Sequence, residues 1–231
     1  MTTSAGVMDA LGEVYDPELD EPITRLGFVS CCEVSPDGDV DVALRLPTPQ
    51  CAPNFAFLMA ADARTAVRRL PGVRRVTITL DDHYTADEIN AAIRRGEGFT
   101  GAFPGETDDD ELGALRELFQ RKALTARQAA VCEEMLAGGT DSVQVTAAVV
   151  ADLPDDYEAR RCLELREQLG IDSGPDAPAF VLASGEPLAA DQLQRWLRMA
   201  RLVRTSLEAN GGICRSLLQV RHDLATDSQE V

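Results

Sequence analysis

The sequence predicts an α/β protein: an N-terminal helix-strand-strand-helix-strand sandwich on a small mixed sheet, followed by a mostly helical C-terminal domain. Three observations carry that expectation. Two runs of strand formers flank the turn Ser35-Pro36-Asp37-Gly38-Asp39, a third alternating run follows a helical stripe, and beyond about residue 107 the apolar spacing is almost wholly helical.

The elements follow in order. Val7, Met8, Leu11, Val14 and Tyr15 form one helical stripe after Ser4, a candidate N-cap, and Asp16-Pro17 stops it. Strand formers run from Phe28 to Val34. After the turn, Val40, Val42, Leu44 and Leu46 alternate with Asp39, Asp41, Ala43 and Arg45, the period of a strand with one wet face, so the two runs make a hairpin. A Pro-rich loop, Pro47-Thr48-Pro49-Gln50-Cys51-Ala52-Pro53, leads into a helix from about Asn54 to Leu70, which Pro71-Gly72 ends. Val76, Ile78 and Leu80 then alternate as a third strand. A strand-helix-strand step implies a parallel pair with a right-handed crossover, hence a mixed sheet.

A short helix from about Thr85 to Arg95 precedes the glycine-rich stretch Gly96 to Gly105. This composition suggests a domain over 1–95, a linker over 96–107 and a helix-rich domain over 108–231. The acidic run Asp108-Asp109-Asp110-Glu111 reads as a solvated helix start. Helices are expected at about 108–122, 125–137, 155–169 and 189–210, with a strand-like run Ala179 to Ala183 and Asn210-Gly211-Gly212 as a C-terminal cap.

Charge and motifs narrow the function. The 231 residues carry 22 Lys and Arg against 39 Asp and Glu, a net charge of -17, which argues against nucleic acid or an anionic membrane surface as partner. The N-terminus lacks the features of a signal peptide and no run is long enough for a membrane span, so a cytoplasmic protein with reduced cysteines is expected. Of the six cysteines, Cys31, Cys32, Cys132 and Cys162 lie in apolar patterns that read as core. No CxxC pair, zinc-finger spacing, GxGxxG, GxxxxGK[ST], GxSxG or HExxH occurs, and only His83 and His222 are available as imidazole bases.

What remains is a set of polar residues at the ends of the N-terminal elements. Asp16 and Glu18 flank the first helix stop, Thr48 and Cys51 lie in the Pro-rich loop, and His83 follows the third strand. Cys51 falls at the start of a helix, where free amide groups and the helix dipole favour the thiolate form that binds metal or attacks. For Asp16 and Glu18, helix termination and capping is the alternative role. Neutral imidazole is a good iron ligand, which adds His83 to the candidates. Cys214, after Gly211-Gly212, is either a second thiol near a helix start or a small core residue, and His222 reads as a surface histidine.

Asp16-Pro17-Glu18-Leu19, Leu26-Gly27-Phe28-Val29, Leu46 to Pro53 and Leu70-Pro71-Gly72-Val73 resemble the iron–sulfur cluster assembly domain family, which includes SufT-like proteins and the D component associated with phenylacetyl-CoA epoxidase. The resemblance covers about residues 5–82. One departure is that Ala52 separates Cys51 from the proline. The resemblance implies a non-catalytic accessory protein that matures an iron-containing centre, iron–sulfur or di-iron, in a client enzyme. Cys51 would make transient contact with iron or a cluster, with Thr48, Asp16 and Glu18 supporting it. A longer subgroup with an extra helical part resembles accessory proteins of bacterial multicomponent di-iron monooxygenases. The partners would then be a client metalloenzyme subunit and other assembly proteins. Two alternatives stay open: a non-metal adaptor that grips the client, and a thiol enzyme with Cys51 as nucleophile and His83 as base.

Overall fold

The computed structural model describes the backbone of residues 2–106 and 109–227, and side chains over 2–106 and 111–221. It divides into two compact units, one of residues 1–115 and 209–231 and one of residues 116–208.

In the first unit, α1 (Ser4–Leu11) is capped by Thr3, not Ser4: the Thr3 hydroxyl accepts the Gly6 amide at 3.2 Å. The helix ends earlier than its apolar stripe suggests. Tyr15 and Asp16 leave it as β1 (Tyr15–Asp16), which pairs antiparallel with β2 (Glu21–Pro22) around the turn that Pro17 imposes. β3 (Val29–Val34) and β4 (Asp39–Arg45) form the expected hairpin, with a bulge between Val29 and Cys31. β5 (Arg75–Asp81) pairs parallel with β4, so the sheet order is β3-β4-β5 and the sheet is mixed.

The helix α2 (Pro53–Arg68) connects β4 to β5 and buries Ala56, Phe57, Leu58, Met59, Ala60, Ala63 and Val67. These meet Val40, Val42 and Leu44 of β4 and Ile78 and Leu80 of β5 in one core. The hairpin turn is tied to β5 at Gly38, which has φ +84°, accepts the Arg74 amide at 2.8 Å, and sits so close to Gly72 that a Cβ would stand 2.3 Å from its carbonyl oxygen. α3 (Ala86–Arg95) ends on Gly96 in the left-handed region, and its Asn90 accepts the Leu80 amide at 2.8 Å while donating to the Leu80 carbonyl at 3.1 Å. That side chain thus satisfies backbone groups on the free edge of β5, which would otherwise present unpaired donors and acceptors.

The glycine-rich stretch is not a bare linker. Phe99–Ala102 form α4, and Phe99, Ala102 and Phe103 are buried in the first unit's core, with Phe99 edge-on to Phe57 at 5.4 Å. Two phenylalanines bury far more apolar area than the nearby glycines cost in flexibility, so the segment folds back onto the domain. Thr107 and the side chains of the acidic run Asp108 to Asp110 lie outside the described residues.

The second unit is helical. The two expected helices over 108–137 are one, α5 (Asp109–Ala137), since nothing in Lys122 to Thr125 breaks a helix. α6 (Ser142–Ala147) starts with an Asp141–Gln144 capping box and α7 (Tyr157–Gln168) with Asp156 as its cap. The strand-like run around Phe180 makes only isolated bridges, and buried Gln128 holds it by accepting the Val181 amide at 2.8 Å and donating to the Val181 carbonyl at 3.1 Å. Leu124, Cys132, Cys162, Leu165, Phe180 and Trp196 belong to its core.

The last helix, α8 (Leu193–Asp227), departs most from expectation. Gly211-Gly212 does not cap it; the helix runs through both glycines, and from Ala209 onward it belongs to the first unit. At Gly211 the helix passes close to Glu21: a Cβ would stand 2.9 Å from its carboxylate, the mobile end of a side chain. Among the described residues no helix is long and apolar enough to cross a membrane.

Candidate functional site

The residues singled out in the sequence converge at one end of the first unit. Cys51 is half-buried in the turn between β4 and α2. Its amide donates to the Thr48 carbonyl at 3.4 Å, and its Sγ lies 3.6 Å from Thr48 Oγ1, within hydrogen-bond reach of sulfur. Thr48 Oγ1 also accepts the Gln50 amide at 3.2 Å, which tightens the loop. α2 begins at Pro53, which has no amide donor, and its first turn is closed locally: the Phe55 amide donates to Asn54 Oδ1 at 2.9 Å and the Ala56 amide to the Ala52 carbonyl at 3.1 Å.

Asp16 is 7% exposed, and its Oδ1 accepts the amides of Glu18 at 2.8 Å and Leu19 at 2.9 Å. Burial raises its carboxyl to about 6; the two amides oppose that rise and the charges of Glu18 and Glu21 add to it. The side chain thus closes the turn between β1 and β2 instead of capping α1, which ends at Leu11. Glu18 is half-buried beside it.

His83 is brought close but faces the wrong way for a ligand. Its Nε2 lies 2.7 Å from the Cys51 carbonyl oxygen, and its Nδ1 lies 3.0 Å from the Thr85 hydroxyl and 3.3 Å from the Thr85 amide. Both ring nitrogens are engaged by the loop. The four residues Cys51, Asp16, Glu18 and His83 do not assemble as a ligand set, and among the described residues no three or more His, Cys, Asp or Glu side chains are arranged to hold a metal ion.

The end of α8 supplies what the sequence left unassigned. Cys214 is half-buried against the first unit's core, mid-helix rather than at a helix start. Its thiol is pushed up to about 11 by burial first, then by the charges of Asp16, Cys51 and Glu18, with Arg215 opposing. Arg221 donates to the Leu46 carbonyl at 2.6 Å and the Asp82 carbonyl at 3.1 Å, and pairs with the Asp82 carboxylate. Burial and Arg45 lower its affinity for the proton, while Cys51 opposes them. A legible signal existed: Gly211, Cys214, Arg215, Leu218 and Arg221 recur at helical spacing across the supposed cap. The side chain of His222 lies outside the described residues. Cys31 is exposed and is not the core residue its strand pattern suggested; Cys32 is half-buried and packs against the first unit's core, and Cys132 and Cys162 are buried.

Residues 4–80 match the family model described as iron-sulfur cluster assembly protein. The chain is 33% identical over 97 residues to an uncharacterized protein of Methanocaldococcus jannaschii, which covers 42% of this chain and all of that one. It is 34% identical over 101 residues to an Fe-S protein maturation auxiliary factor of Porphyromonas gingivalis, covering 43% of this chain and 94% of the relative. An iron-sulfur cluster carrier protein of Mycobacterium tuberculosis is 37% identical over 92 residues, which is 40% of this chain but only 23% of the carrier. The segment that the family model matches contains Asp16, Glu18, Thr48 and Cys51 and stops short of His83, Cys214 and Arg221. On the family match and the near-complete coverage of two of these relatives, the chain belongs to the iron–sulfur cluster assembly protein family.

Proposed function

We propose that this protein is an assembly factor that holds iron or an iron–sulfur cluster transiently at Cys51 and delivers it to a client metalloenzyme. The carrying observation is the placement of Cys51: a half-buried thiol in the turn that leads into α2, against Thr48 Oγ1, in the loop that the family match includes. Thiolate is the ligand type that selects iron–sulfur clusters. The names of the relatives, a cluster carrier and a maturation auxiliary factor, favour cargo over resident cofactor. An incomplete ligand set suits such a role, because cargo that must leave cannot be fully enclosed by its carrier's side chains.

The client is an iron-containing enzyme subunit, iron–sulfur or di-iron. Thr48 steadies the sulfur, and Asp16 with Glu18 keeps the surroundings anionic. The test is anaerobic loading with iron and sulfide, followed by metal and sulfide analysis of wild type beside Cys51→Ser. Loss of most of the bound iron in the variant is the expected result; equal iron in both would transfer the weight to an adaptor that grips the client without metal.

A further inference from the structure

We infer that Cys214 is a second thiol ligand of this site, so that the chain holds thiophilic metal cargo between Cys51 and Cys214. This rests on the reading of Cys51 given above and extends it to a part of the chain that the family match does not reach.

The placement follows from one helix face. Residues three, four and seven apart on a helix share a face, and Gly211, Cys214, Arg215, Leu218 and Arg221 are so spaced. Every other member of that set is anchored on the first unit. Gly211 lies against Glu21, Arg215 pairs with Glu21 at 2.5 Å, Leu218 is 5% exposed with its Cδ2 3.4 Å from where a Cβ on Gly27 would stand, and Arg221 donates to the Leu46 carbonyl at 2.6 Å. Glu21 follows the Asp16 turn and Leu46 leads into the Cys51 loop. A helix face fixed at one end to Glu21 and at the other to Leu46 carries Cys214 along the stretch from the Asp16 turn toward the Cys51 loop. The same neighbours, Asp16, Cys51 and Glu18, are the charges that bear on its thiol.

Two thiols held on neighbouring elements repel one another when both are ionised, and a cation bound by both relieves that repulsion. Binding of a divalent metal releases both thiol protons to solvent as two metal–sulfur bonds form. Two further positions of a tetrahedral metal stay open to other ligands. Transfer is then ligand exchange without redox change: an incoming client thiol gives up its proton as its sulfur bonds the metal, and Cys214 or Cys51 takes a proton as its own bond breaks.

The test uses the full chain in a Cys31→Ser/Cys32→Ser background, which removes the neighbouring thiol pair on β3. Anaerobic Co2+ titration reads the thiolate-to-metal charge-transfer absorbance per bound ion, which grows with the number of thiolate ligands. Cys214→Ser and Cys214→Ala should each reduce it to about half, Cys51→Ser likewise, and the double variant should abolish it. Full intensity in both Cys214 variants with a reduced signal in Cys51→Ser would overturn this inference and leave the Cys51 reading standing. Full intensity in Cys51→Ser would overturn that reading instead. Independently of metal, dibromobimane, which bridges two thiols in reach of each other, should crosslink the peptides carrying Cys51 and Cys214. Alkylation of the two thiols without a crosslink would overturn the pairing whatever the cobalt result.

Discussion

His83 holds Cys51 through the backbone and not through the sulfur. The Cys51 carbonyl can only accept, so the 2.7 Å contact makes His83 Nε2 the donor and leaves Nδ1 as acceptor for the Thr85 amide and hydroxyl. The ring is a buried clamp between the Cys51 loop and the start of α3. His83→Ala should lower stability by about 1–2 kcal/mol, the usual cost of stranding a buried hydrogen-bond partner. Urea unfolding reads that cost. Iron content after anaerobic loading should match wild type. If His83→Ala lost iron to the extent of Cys51→Ser, the imidazole would be a ligand and not a clamp.

The three strands of the mixed sheet and α2 were legible because each follows from local pattern, whereas the short β1–β2 pair was not. Alternation in Val40 to Leu46, the Asp37-Gly38 turn and the helical stripe before Pro71-Gly72 leave one economical arrangement. The Cys51 loop was legible for the same reason, as a proline-bounded thiol at a helix start. Local pattern misled where a distant partner decides. Gly211-Gly212 looks like a cap, yet α8 runs through both, and the residues beyond it, Arg215 and Arg221, are held by Glu21 and Leu46 far back in the chain. Phe99 and Phe103 sit among glycines that signal a linker, yet the Phe57 ring gives Phe99 a partner. Cys214 could not be joined to Cys51 from spacing, since that juxtaposition depends on the return of α8 to the first unit.

Gly38 is the turn position least able to accept a side chain. Its φ of +84° disfavours any L-residue, and the 2.3 Å approach to the Gly72 carbonyl means that backbone must move. Gly38→Ala should destabilise by about 2–4 kcal/mol, combining left-handed strain with a steric clash. Gly105, with a similar φ of +84° but no neighbour within 4 Å, is the control. Gly105→Ala should cost about 1 kcal/mol, strain alone. Equal shifts in urea midpoint for the two would show that the Gly72 contact adds nothing.

Asp16 makes stability depend on pH in a direction opposite to that of a salt-bridged carboxylate. Its folded value is raised from 3.8 to about 6, so the folded state favours the protonated form. The associated stability is fully present below about pH 4 and is lost as pH rises through about 6. A shift of this size corresponds to about 3 kcal/mol between the two limits. Asp16→Asn keeps an oxygen for the Glu18 and Leu19 amides and never ionises. The variant should therefore be more stable than wild type at pH 7.5, by about 1–3 kcal/mol, and about equal to it at pH 4. Chemical unfolding across pH 4 to 7.5 tests this through the difference between the two proteins, which cancels groups common to both. A difference that stays constant over that range would show that folding does not raise the Asp16 carboxyl.

Arg221 fixes the end of α8 over the Cys51 loop, and the two kinds of contact it makes differ in worth. The Asp82 carboxylate is 64% exposed, so its ion pair with Arg221 contributes little. The hydrogen bond to the Leu46 carbonyl is the stronger restraint, because Leu46 is 1% exposed and charge-assisted bonds of this kind are worth about 1.5–3 kcal/mol. Asp82→Asn, which keeps the backbone carbonyl, should leave the helix end in place, and added salt should do the same. Arg221→Met keeps much of the aliphatic stem but removes both carbonyl bonds, and should let the helix end lift. Cys51 and Cys214 would then be exposed together. Under metal-free reducing conditions, alkylation by iodoacetamide at both thiols should be several-fold faster in Arg221→Met than in wild type, with Asp82→Asn close to wild type; the buried Cys132 and Cys162 serve as internal references. Faster reaction in Asp82→Asn than in Arg221→Met would show that the surface ion pair, and not the Leu46 bond, is what fastens the helix over the site.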